Sequence, residues 1–477
     1  MRIVTLSQSS LFIIAVLSHH HNHIPRQATS PSSLPPTTPS SGISAPPPSP
    51  ATLPPSGSGS LPPGSTPPTR PAPTLSVSLE STNPTARPLS DIIVNASSAP
   101  TRALPTTPVP GSKPTGVNGV PGLPDANLLR PADYPPLDRP PPVDSPEVEE
   151  WYQQVMNSGI SIPDIPPTNP GGCPNNTAAA TNASICWWTC SGCTAPTDVS
   201  DCPDKMTWGL TYDDGPSLYT PDLLNYLDEQ KLKTTFFVVG SRVISFPHIL
   251  QAEYLADHQI AVHTWSHYPL TTLSTREIIA ELGWSKKVIY DTIGVTPNMM
   301  RPPFGDIDNR VRAICTAMGL TPVMWTRLSP QVTFNTDDFD IHSGLVTVEE
   351  VLGNWKDILS NVSTLDHGFI VLEHDLFQQT VEVATGYILP DALAHKPPFT
   401  IEPVISCLRK PLAYAYIESN NNDTNPPPAA GGRPTLSSGA PGSAEATGGS
   451  SHSWLPSDSK MNSLLGGSIA ALFLAAL

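Results

Sequence analysis

Residues of positive charge are scarce in this sequence. Only 25 Lys and Arg stand against 41 Asp and Glu among 477 residues, and the formal net charge is −16. Binding to the phosphates of DNA or RNA needs a basic surface, so we expect no nucleic-acid partner. The acidic balance identifies no partner by itself, because it suits both a neutral substrate and simple colloidal stability.

The sequence also lacks an apolar run of about 20 residues, the length that a transmembrane helix needs. The shorter run Leu11–Leu17 follows the basic Arg2 and is typical of a secretory signal. We therefore expect residues 1–19 to be a signal peptide and the protein to be secreted.

The apolar tail Leu464–Leu477 follows a polar spacer, which is preceded by small residues that include Gly449 and Ser450. This layout predicts a GPI-anchor signal, with attachment at Gly449 or Ser450 and removal of residues 461–477. The alternative is a weak tail-anchor helix, which the short tail disfavours.

Cysteine is sparse, with seven residues, and five of them cluster between Cys173 and Cys202. Cys190 and Cys193 form a C-x-x-C pair, which would indicate redox chemistry or zinc in a cytosolic protein. Disulfide bonds are the better interpretation in a secreted chain. The odd count leaves one thiol unpaired.

Proline, by contrast, is abundant, and its distribution predicts the domain organisation. Most of the 60 prolines lie before Pro170 or after Asn425. Residues 25–145 are rich in Ser, Thr and Pro and poor in aromatics, so we expect a disordered, O-glycosylated stalk. Residues 419–460 have a similar composition and predict a disordered linker that carries the anchor site.

Residues 146–201 are intermediate in composition and predict a Cys-rich cap that begins with a short helix at Val148–Met156. The adjacent Trp187 and Trp188 have two interpretations: stacking on sugar rings, or packing in a small disulfide-stapled core, which we favour. The sequence also contains N-glycosylation triplets, at Asn95, Asn175, Asn182, Asn361 and Asn422.

Between residues 202 and 418, strand-like apolar runs alternate with helical patterns. Thr220 before Pro221 predicts a helix N-cap, and Ser274 with Glu277 predicts a capping box. Such alternation predicts an α/β fold with a parallel sheet, either open or closed into a barrel. The predicted strands are Trp208–Tyr212, Thr234–Val239, Gln259–His263, Pro322–Trp325 and Phe369–Leu372.

Polar residues capable of chemistry follow these strands. In βα barrels the active site forms at the carboxyl ends of the strands, so residues that are far apart in sequence can share one site. The residues placed in this way are Asp213, Asp214, His263, His267, Arg301, Asp338 and His374.

Two histidines and one carboxylate suit a divalent metal with open positions for water and substrate. A second carboxylate can accept a proton from water, and a further histidine can protonate a leaving group. This scheme needs no serine or cysteine nucleophile. His263 and His267 lack the glutamate of an H-E-x-x-H motif, so a zincin is not predicted. Each residue alone has an ordinary explanation, as a turn, an ion pair or a core histidine, and only the set is informative.

Segments of this region resemble motifs of the polysaccharide deacetylase domain (NodB homology, carbohydrate esterase family 4), and within it those of fungal chitin deacetylases. The resemblance covers about Asp204 to Glu418 and implies a distorted (β/α) barrel as the catalytic domain over residues 202–418. The matching segments are Thr211–Pro216, His263–His267, Arg301–Gly305 and Leu372–His374.

The resemblance also implies the role of each residue. Asp213 would be the general base, paired with Arg301, and His374 would be the general acid, oriented by Asp338. The implied ligands of a divalent metal, taken as Zn²⁺ with Co²⁺ or Mn²⁺ as alternatives, are Asp214, His263 and His267.

Further implied residues lie around this centre. Phe304 would bind the oxyanion through its backbone N–H, and Leu372 would line the pocket for the acetyl methyl group. Trp265 and Phe339 are further expected substrate contacts. The fourth family motif, usually D-x-x-D-W, departs here to Asn335–Phe339, with Asn at the first position and Phe at the last. Finally, the resemblance implies a disulfide between Cys202 and Cys407.

The implied function is deacetylation of chitin or chitin oligomers by a monomer that is GPI-anchored at the outer face of the plasma membrane and in the cell wall. Two alternatives stay open. One is an esterase that removes O-acetyl groups from xylan or another wall polysaccharide. The other is a non-catalytic, wall-anchored chitin-binding or structural protein.

Overall fold

The structure, a computed structural model, describes residues 77–94 and 101–419. The predicted signal peptide, anchor site and apolar tail lie outside these residues, as do Asn95 and Asn422. Among the described residues, no helix combines the length and the apolar character needed to cross a membrane.

Helices and short strands alternate along most of the described chain. The helices are α1 Pro146–Met156, α2 Thr177–Ala180, α3 Trp188–Ser191, α4 Thr220–Gln230, α5 Gly240–Ser245, α6 Pro247–Leu255, α7 Thr275–Ile293, α8 Asn309–Ala317, α9 Asp340–Ser343, α10 Val348–Val362, α11 Gln378–Val383, α12 Leu389–Ala394 and α13 Val404–Cys407. The strands are β1 Thr207–Gly209, β2 Thr211–Asp213, β3 Thr235–Val238, β4 Gln259–Val262, β5 Met299–Met300, β6 Thr321–Pro322, β7 Arg327–Ser329, β8 Val332–Thr333, β9 Phe369–Ile370 and β10 Thr400–Glu402.

Two parallel sheets organise the core. One has the order β2-β3-β4-β5-β6, and the other has the order β10-β1-β9. Backbone hydrogen bonds continue from the end of one sheet to the other, since the Thr326 N–H donates to Ile370 O and the Asp213 N–H to Glu373 O. The predicted α/β fold with parallel strands is confirmed, and these links are consistent with a distorted barrel.

The helix signals in the sequence match the structure closely, with one exception. Ser274 and Glu277 form the reciprocal capping box of α7, which ends at Gly294 with φ 77°. The prediction that Thr220 is an N-cap is wrong by one residue, because Tyr219 precedes the first helical position. The hydroxyl of Thr220 instead accepts a hydrogen bond from the Ser217 N–H and donates to Asp375.

Disulfides close the Cys-rich cap and the domain. Bonds join Cys173 to Cys190 and Cys186 to Cys193, so the C-x-x-C cysteines are bonded to different partners. A third bond joins Cys202 to Cys407, the pair that the family resemblance implies. Cys315 is the unpaired, buried thiol.

Trp187 and Trp188 in this cap are each only 3% exposed. The Trp187 indole N–H donates to Asp306 (2.7 Å), and the Trp188 ring packs edge-on against Trp325 at 4.5 Å. These contacts favour the interpretation as a small packed core over a sugar-stacking surface, and they brace the loop that follows Arg301.

The prediction that residues 25–145 form a disordered stalk is wrong for residues 77–94 and 101–145. Ile92, Val117, Val120 and Leu123 are at most 4% exposed and belong to the hydrophobic core. A Pro-rich segment with few apolar residues cannot build its own core, but scattered apolar side chains can still join an existing one. Composition therefore missed the packing of this segment on the domain.

This packing predicts that single substitutions in the segment affect stability. Leu123→Ala should lower the free energy of unfolding by about 2–4 kcal/mol, because it leaves a cavity in the core. Leu128→Ala is the matched control, since Leu128 is 76% exposed, and should change stability by less than about 0.5 kcal/mol. Chemical denaturation measures both, and equal stability of the two variants would mean that the segment does not pack on the domain.

Candidate active site

The ends of neighbouring strands bring the predicted residues together. Asp213 is the last residue of β2, His263 follows β4 directly, and Arg301 follows β5 directly. A parallel bridge pairs Asp213 with His374, which lies beyond β9. Because the strands are parallel, these positions meet at one edge of the sheet, as expected for this class of fold.

Asp214, His263 and His267 form a compact cluster of possible metal ligands. The Asp214 Oδ1 atom lies 3.2 Å from His263 Nε2 and 3.1 Å from His267 Nε2. One donor atom from each residue lies within 4.8 Å of the others. The histidine pair comes from the H-x-x-x-H segment, and the carboxylate comes from the turn after β2, where Asp214 has φ 75°.

The hydrogen bonding of this cluster fits a divalent cation. His263 Nδ1 lies 2.7 Å from the Arg301 carbonyl oxygen, which can only accept, so Nδ1 carries the proton and Nε2 presents its lone pair. Asp214 Oδ1 is buried and has no hydrogen-bond partner. Burial alone raises the pKa of Asp214, but the positive charges of His267 and His374 lower it well below its usual value. Ionised carboxylate and imidazole nitrogens aimed at one point are a donor set for a metal.

Arg301 holds the Asp213 carboxylate through the oxygen that does not face His263. The arginine is fully buried, and its Nη1 donates to Asp213 Oδ1 at 2.7 Å and to Thr211 Oγ1 at 2.9 Å. The remaining guanidinium nitrogens face the carbonyls of Val323 and Met324. A buried charge is tolerated when it is paired and hydrogen-bonded, and this pair orients the Asp213 carboxylate.

His374 is held by Asp338 in a two-point contact. Its Nδ1 donates to Asp338 Oδ1 at 2.7 Å, and its backbone N–H donates to Asp338 Oδ2 at 2.8 Å. Burial lowers the pKa of His374, but Asp338, with smaller contributions from Asp214 and Asp213, raises it to about 10. The imidazole is therefore held in a protonated form that can donate a proton from Nε2.

The fourth motif supports this pair despite its altered first position. The Asn335 side-chain amide donates a hydrogen bond to Asp337 Oδ1, and the Asp337 backbone N–H donates one to Asn335 Oδ1. Asn335 also pairs with Leu372 in a parallel bridge. An asparagine at this position therefore still shapes the turn that directs Asp338 toward His374.

The expected substrate contacts differ in their accessibility. Phe304 is 58% exposed and packs against the His267 ring at 4.7 Å. Phe339 is half-buried against the His374 ring, and Leu372 is 8% exposed. The expectation that Trp265 contacts substrate is wrong, because this side chain is fully buried and its indole N–H donates to the Pro136 carbonyl.

Several buried acids next to the site were missed by the sequence reasoning. Burial raises the pKa of Asp375 to about 7 and raises that of Glu373 well above its usual value. Burial also raises the pKa of Glu281 to about 7, although this residue accepts hydrogen bonds from the His263–His267 segment. No motif marks Glu281, which lies within an ordinary amphipathic helix.

The chain is similar to known proteins of one family. A family model described as polysaccharide deacetylase matches residues 200–323. Chitin deacetylase 1 of Cryptococcus neoformans var. grubii is 49% identical over 337 residues, which cover 70% of each chain. Chitin deacetylase of Amylomyces rouxii is 38% identical over 229 residues, covering 42% of this chain and 52% of that one.

Among solved structures, the chitin deacetylase from Colletotrichum lindemuthianum is similar with a TM-score of 0.41 and 23% identity. The match covers 47% of this chain and 97% of that chain.

The contact between Asp338 and His374 predicts that the pKa of His374 depends on the Asp338 carboxylate. In the metal-free protein, Asp338→Asn should lower the pKa of His374 by at least about one unit, because a neighbouring negative charge is lost. Asp340→Asn removes the same charge nearby and should leave that pKa within about half a unit, since screening weakens more distant charges. NMR titration of the His374 imidazole measures both values. An unchanged pKa in Asp338→Asn would show that this carboxylate does not hold the proton on His374.

Proposed function

The chain belongs to the polysaccharide deacetylase family, and on this premise we propose that it hydrolyses the N-acetyl groups of chitin, giving chitosan and acetate. The observation that carries the proposal is the cluster of Asp214, His263 and His267, which is accompanied by two further ion pairs. Arg301 with Asp213 forms one pair, and the other joins Asp338 to His374.

We propose Zn²⁺ as the metal, with Co²⁺ or Mn²⁺ as alternatives, since mixed imidazole and carboxylate ligands suit these ions. A bound cation supplies Lewis-acid polarisation of the acetamide carbonyl. His267 is the most accessible ligand, with a side chain 28% exposed, so the substrate would approach from its side.

Asp213 is the proposed general base. Its Oδ1 is engaged by Arg301, and its Oδ2 faces the metal-ligand cluster, 3.8 Å from His263 Nε2. Oδ2 is therefore free to take the proton from a water molecule as that water attacks the acetamide carbon. The fixed orientation of the carboxylate avoids reorganisation during the reaction.

His374 is the proposed general acid. Asp338 occupies its Nδ1, so the proton on Nε2 is the one available to the departing amine. The parallel bridge between Asp213 and His374 places base and acid next to each other. Phe304 is proposed to bind the developing oxyanion through its backbone N–H, and Leu372 to line the acetyl pocket.

Two exposed aromatic rings favour a polymeric sugar substrate. Among the Phe, Tyr and Trp side chains of the described residues, only Tyr268 and Phe304 are more than a third exposed, at 41% and 58%. Tyr268 follows the ligand His267 directly, and Phe304 packs on the ring of that histidine. We propose that both rings contact sugar units beside the reacting one, because aromatic faces pack well on pyranose rings.

We propose that the protein is secreted, GPI-anchored at Gly449 or Ser450, and positioned at the cell wall. Three disulfides support an oxidising compartment. Asn175 and Asn182 are exposed and Asn361 is half-buried, so these sequons are accessible to different degrees. We also propose that the protein is a monomer.

Two alternatives remain as outcomes of the test. An O-acetyl esterase acting on xylan would use the same constellation. A non-catalytic chitin-binding protein would need no complete set of proton-transfer groups, and it loses one support because Trp187 and Trp188 are buried.

The full chain supplied with Zn²⁺ should release acetate from chitin oligomers in preference to acetylated xylan. Asp213→Asn should lower kcat by at least about 100-fold, because the general base is lost, while chitin binding persists. Asp228→Asn changes an exposed carboxyl on α4 and serves as control. Undiminished turnover by Asp213→Asn would contradict the proposed role of Asp213 as general base. Acetate from xylan alone would indicate the esterase, and chitin binding without any acetate the non-catalytic protein.

The aromatic rings give a separate prediction. Tyr268→Ala should lower kcat/KM by about 3- to 10-fold for long chitin oligomers and far less for the shortest substrates, because one stacking contact is lost. Leu393→Ala is the control, since Leu393 is also 41% exposed but lies on α12. Steady-state kinetics across oligomer lengths measure the effect, and a loss independent of length would argue against a contact with neighbouring sugars.

A further inference from the structure

The loop that carries His267 has an unusual backbone. Thr264 has φ 64° and His267 has φ 60°, so two residues that are not glycine adopt left-handed conformations within four positions. Such conformations are unfavourable for residues other than glycine and persist only where the surroundings hold them. One stabilising contact lies within the loop, where the His267 N–H donates to Thr264 Oγ1 at 3.1 Å, and further support comes from outside the loop.

Glu281 supplies this support from inside the domain. It lies on α7 and is fully buried, and its Oε2 accepts hydrogen bonds from the Trp265 N–H (2.8 Å) and the Ser266 N–H (2.9 Å). Its Oε1 accepts from Ser266 Oγ at 2.5 Å. Both carboxylate oxygens are thus engaged by the two residues that immediately precede His267.

On its outer side, the same loop packs against Tyr134 and Pro136, which lie N-terminal to the catalytic domain. The Trp265 indole stacks on Tyr134, with ring centroids 6.2 Å apart, and donates to the Pro136 carbonyl. This contact fixes the indole, but it does not engage the backbone N–H groups of the loop. Glu281 alone holds those two groups.

Glu253 shows what a buried glutamate without this task looks like. It is also fully buried, on α6, and neither of its carboxylate oxygens has a hydrogen-bond partner. Burying a carboxyl group is unfavourable in both cases. In Glu281 the cost is offset by three hydrogen bonds that all come from the metal-site loop.

We propose that Glu281 is a positioning residue that sets the geometry of His267 in the metal site, although it touches neither metal nor substrate. The inference rests on the metal site of the proposed function. It extends that site to a residue of helix α7 that acts through the backbone of the Trp265–Ser266 segment, in the way that outer partners orient metal ligands.

Metal binding tests the proposal without relying on turnover. Glu281→Leu removes all three hydrogen bonds and should weaken Zn²⁺ affinity by about 10- to 100-fold, as loss of an outer partner of a ligand does. Glu281→Gln keeps an oxygen that can accept from both N–H groups and should restore most of the affinity. Glu253→Leu is the matched control and should change the affinity by less than about 2-fold. Isothermal titration calorimetry on the full chain gives the affinities.

The Co²⁺ absorption spectrum provides a second readout, because its intensity and position report ligand geometry. It should change in Glu281→Leu and stay unchanged in Glu253→Leu. Should Glu281→Leu fail to fold, Ser266→Ala removes only the Oγ contact and should alter the same spectrum in a folded protein.

The outcomes separate the inference from the proposed function. A wild-type chain that binds no divalent cation overturns both. A wild-type chain that binds Zn²⁺, with unchanged affinity and Co²⁺ spectrum in the Glu281 and Ser266 variants, overturns only the role of Glu281.

Discussion

Arg301 is the residue on which the rest of the site depends. Its backbone carbonyl accepts from the protonated Nδ1 of His263, so that Nε2 of this histidine faces the Asp214 carboxylate. Its guanidinium holds Asp213 at 2.7 Å. One fully buried residue thereby links the candidate metal ligands to the proposed general base, and loss of such a buried partner leaves an uncompensated charge that costs about 3–5 kcal/mol. The strand ends supply the positions, and Arg301 supplies their mutual orientation.

The site combines charged residues with a low-dielectric surrounding. Despite burial, the hydrogen bond from His374 Nδ1 to Asp338 raises the pKa of His374, and the charges of His267 and His374 lower the pKa of Asp214. Nearby Glu373 lies in the same surroundings without such partners, and its pKa is raised. Ionisation at this edge of the sheet therefore follows from specific partners rather than from exposure to water, and this is how one site can hold an acid and a base side by side.

Sequence reasoning predicted which residues meet at the candidate site, because their types and order follow the strand ends. It failed where the outcome depends on packing between distant segments. Trp265 lies inside a metal-ligand motif, yet it is buried under Tyr134, which composition had assigned to a disordered stalk. Glu281 carries no local signal, since its partners lie fifteen and sixteen residues away. Leu123 likewise joins a core that its own Pro-rich segment cannot form.

We propose that a single divalent cation held by Asp214, His263 and His267 is required for deacetylation of chitin. The most direct measurement adds Zn²⁺ stepwise to the metal-free full chain while acetate release from chitin oligomers is followed. We expect activity to rise in proportion to added metal and to reach its plateau at one equivalent per chain. Full acetate release by the metal-free protein, or a plateau that does not follow occupancy of one site, would contradict it.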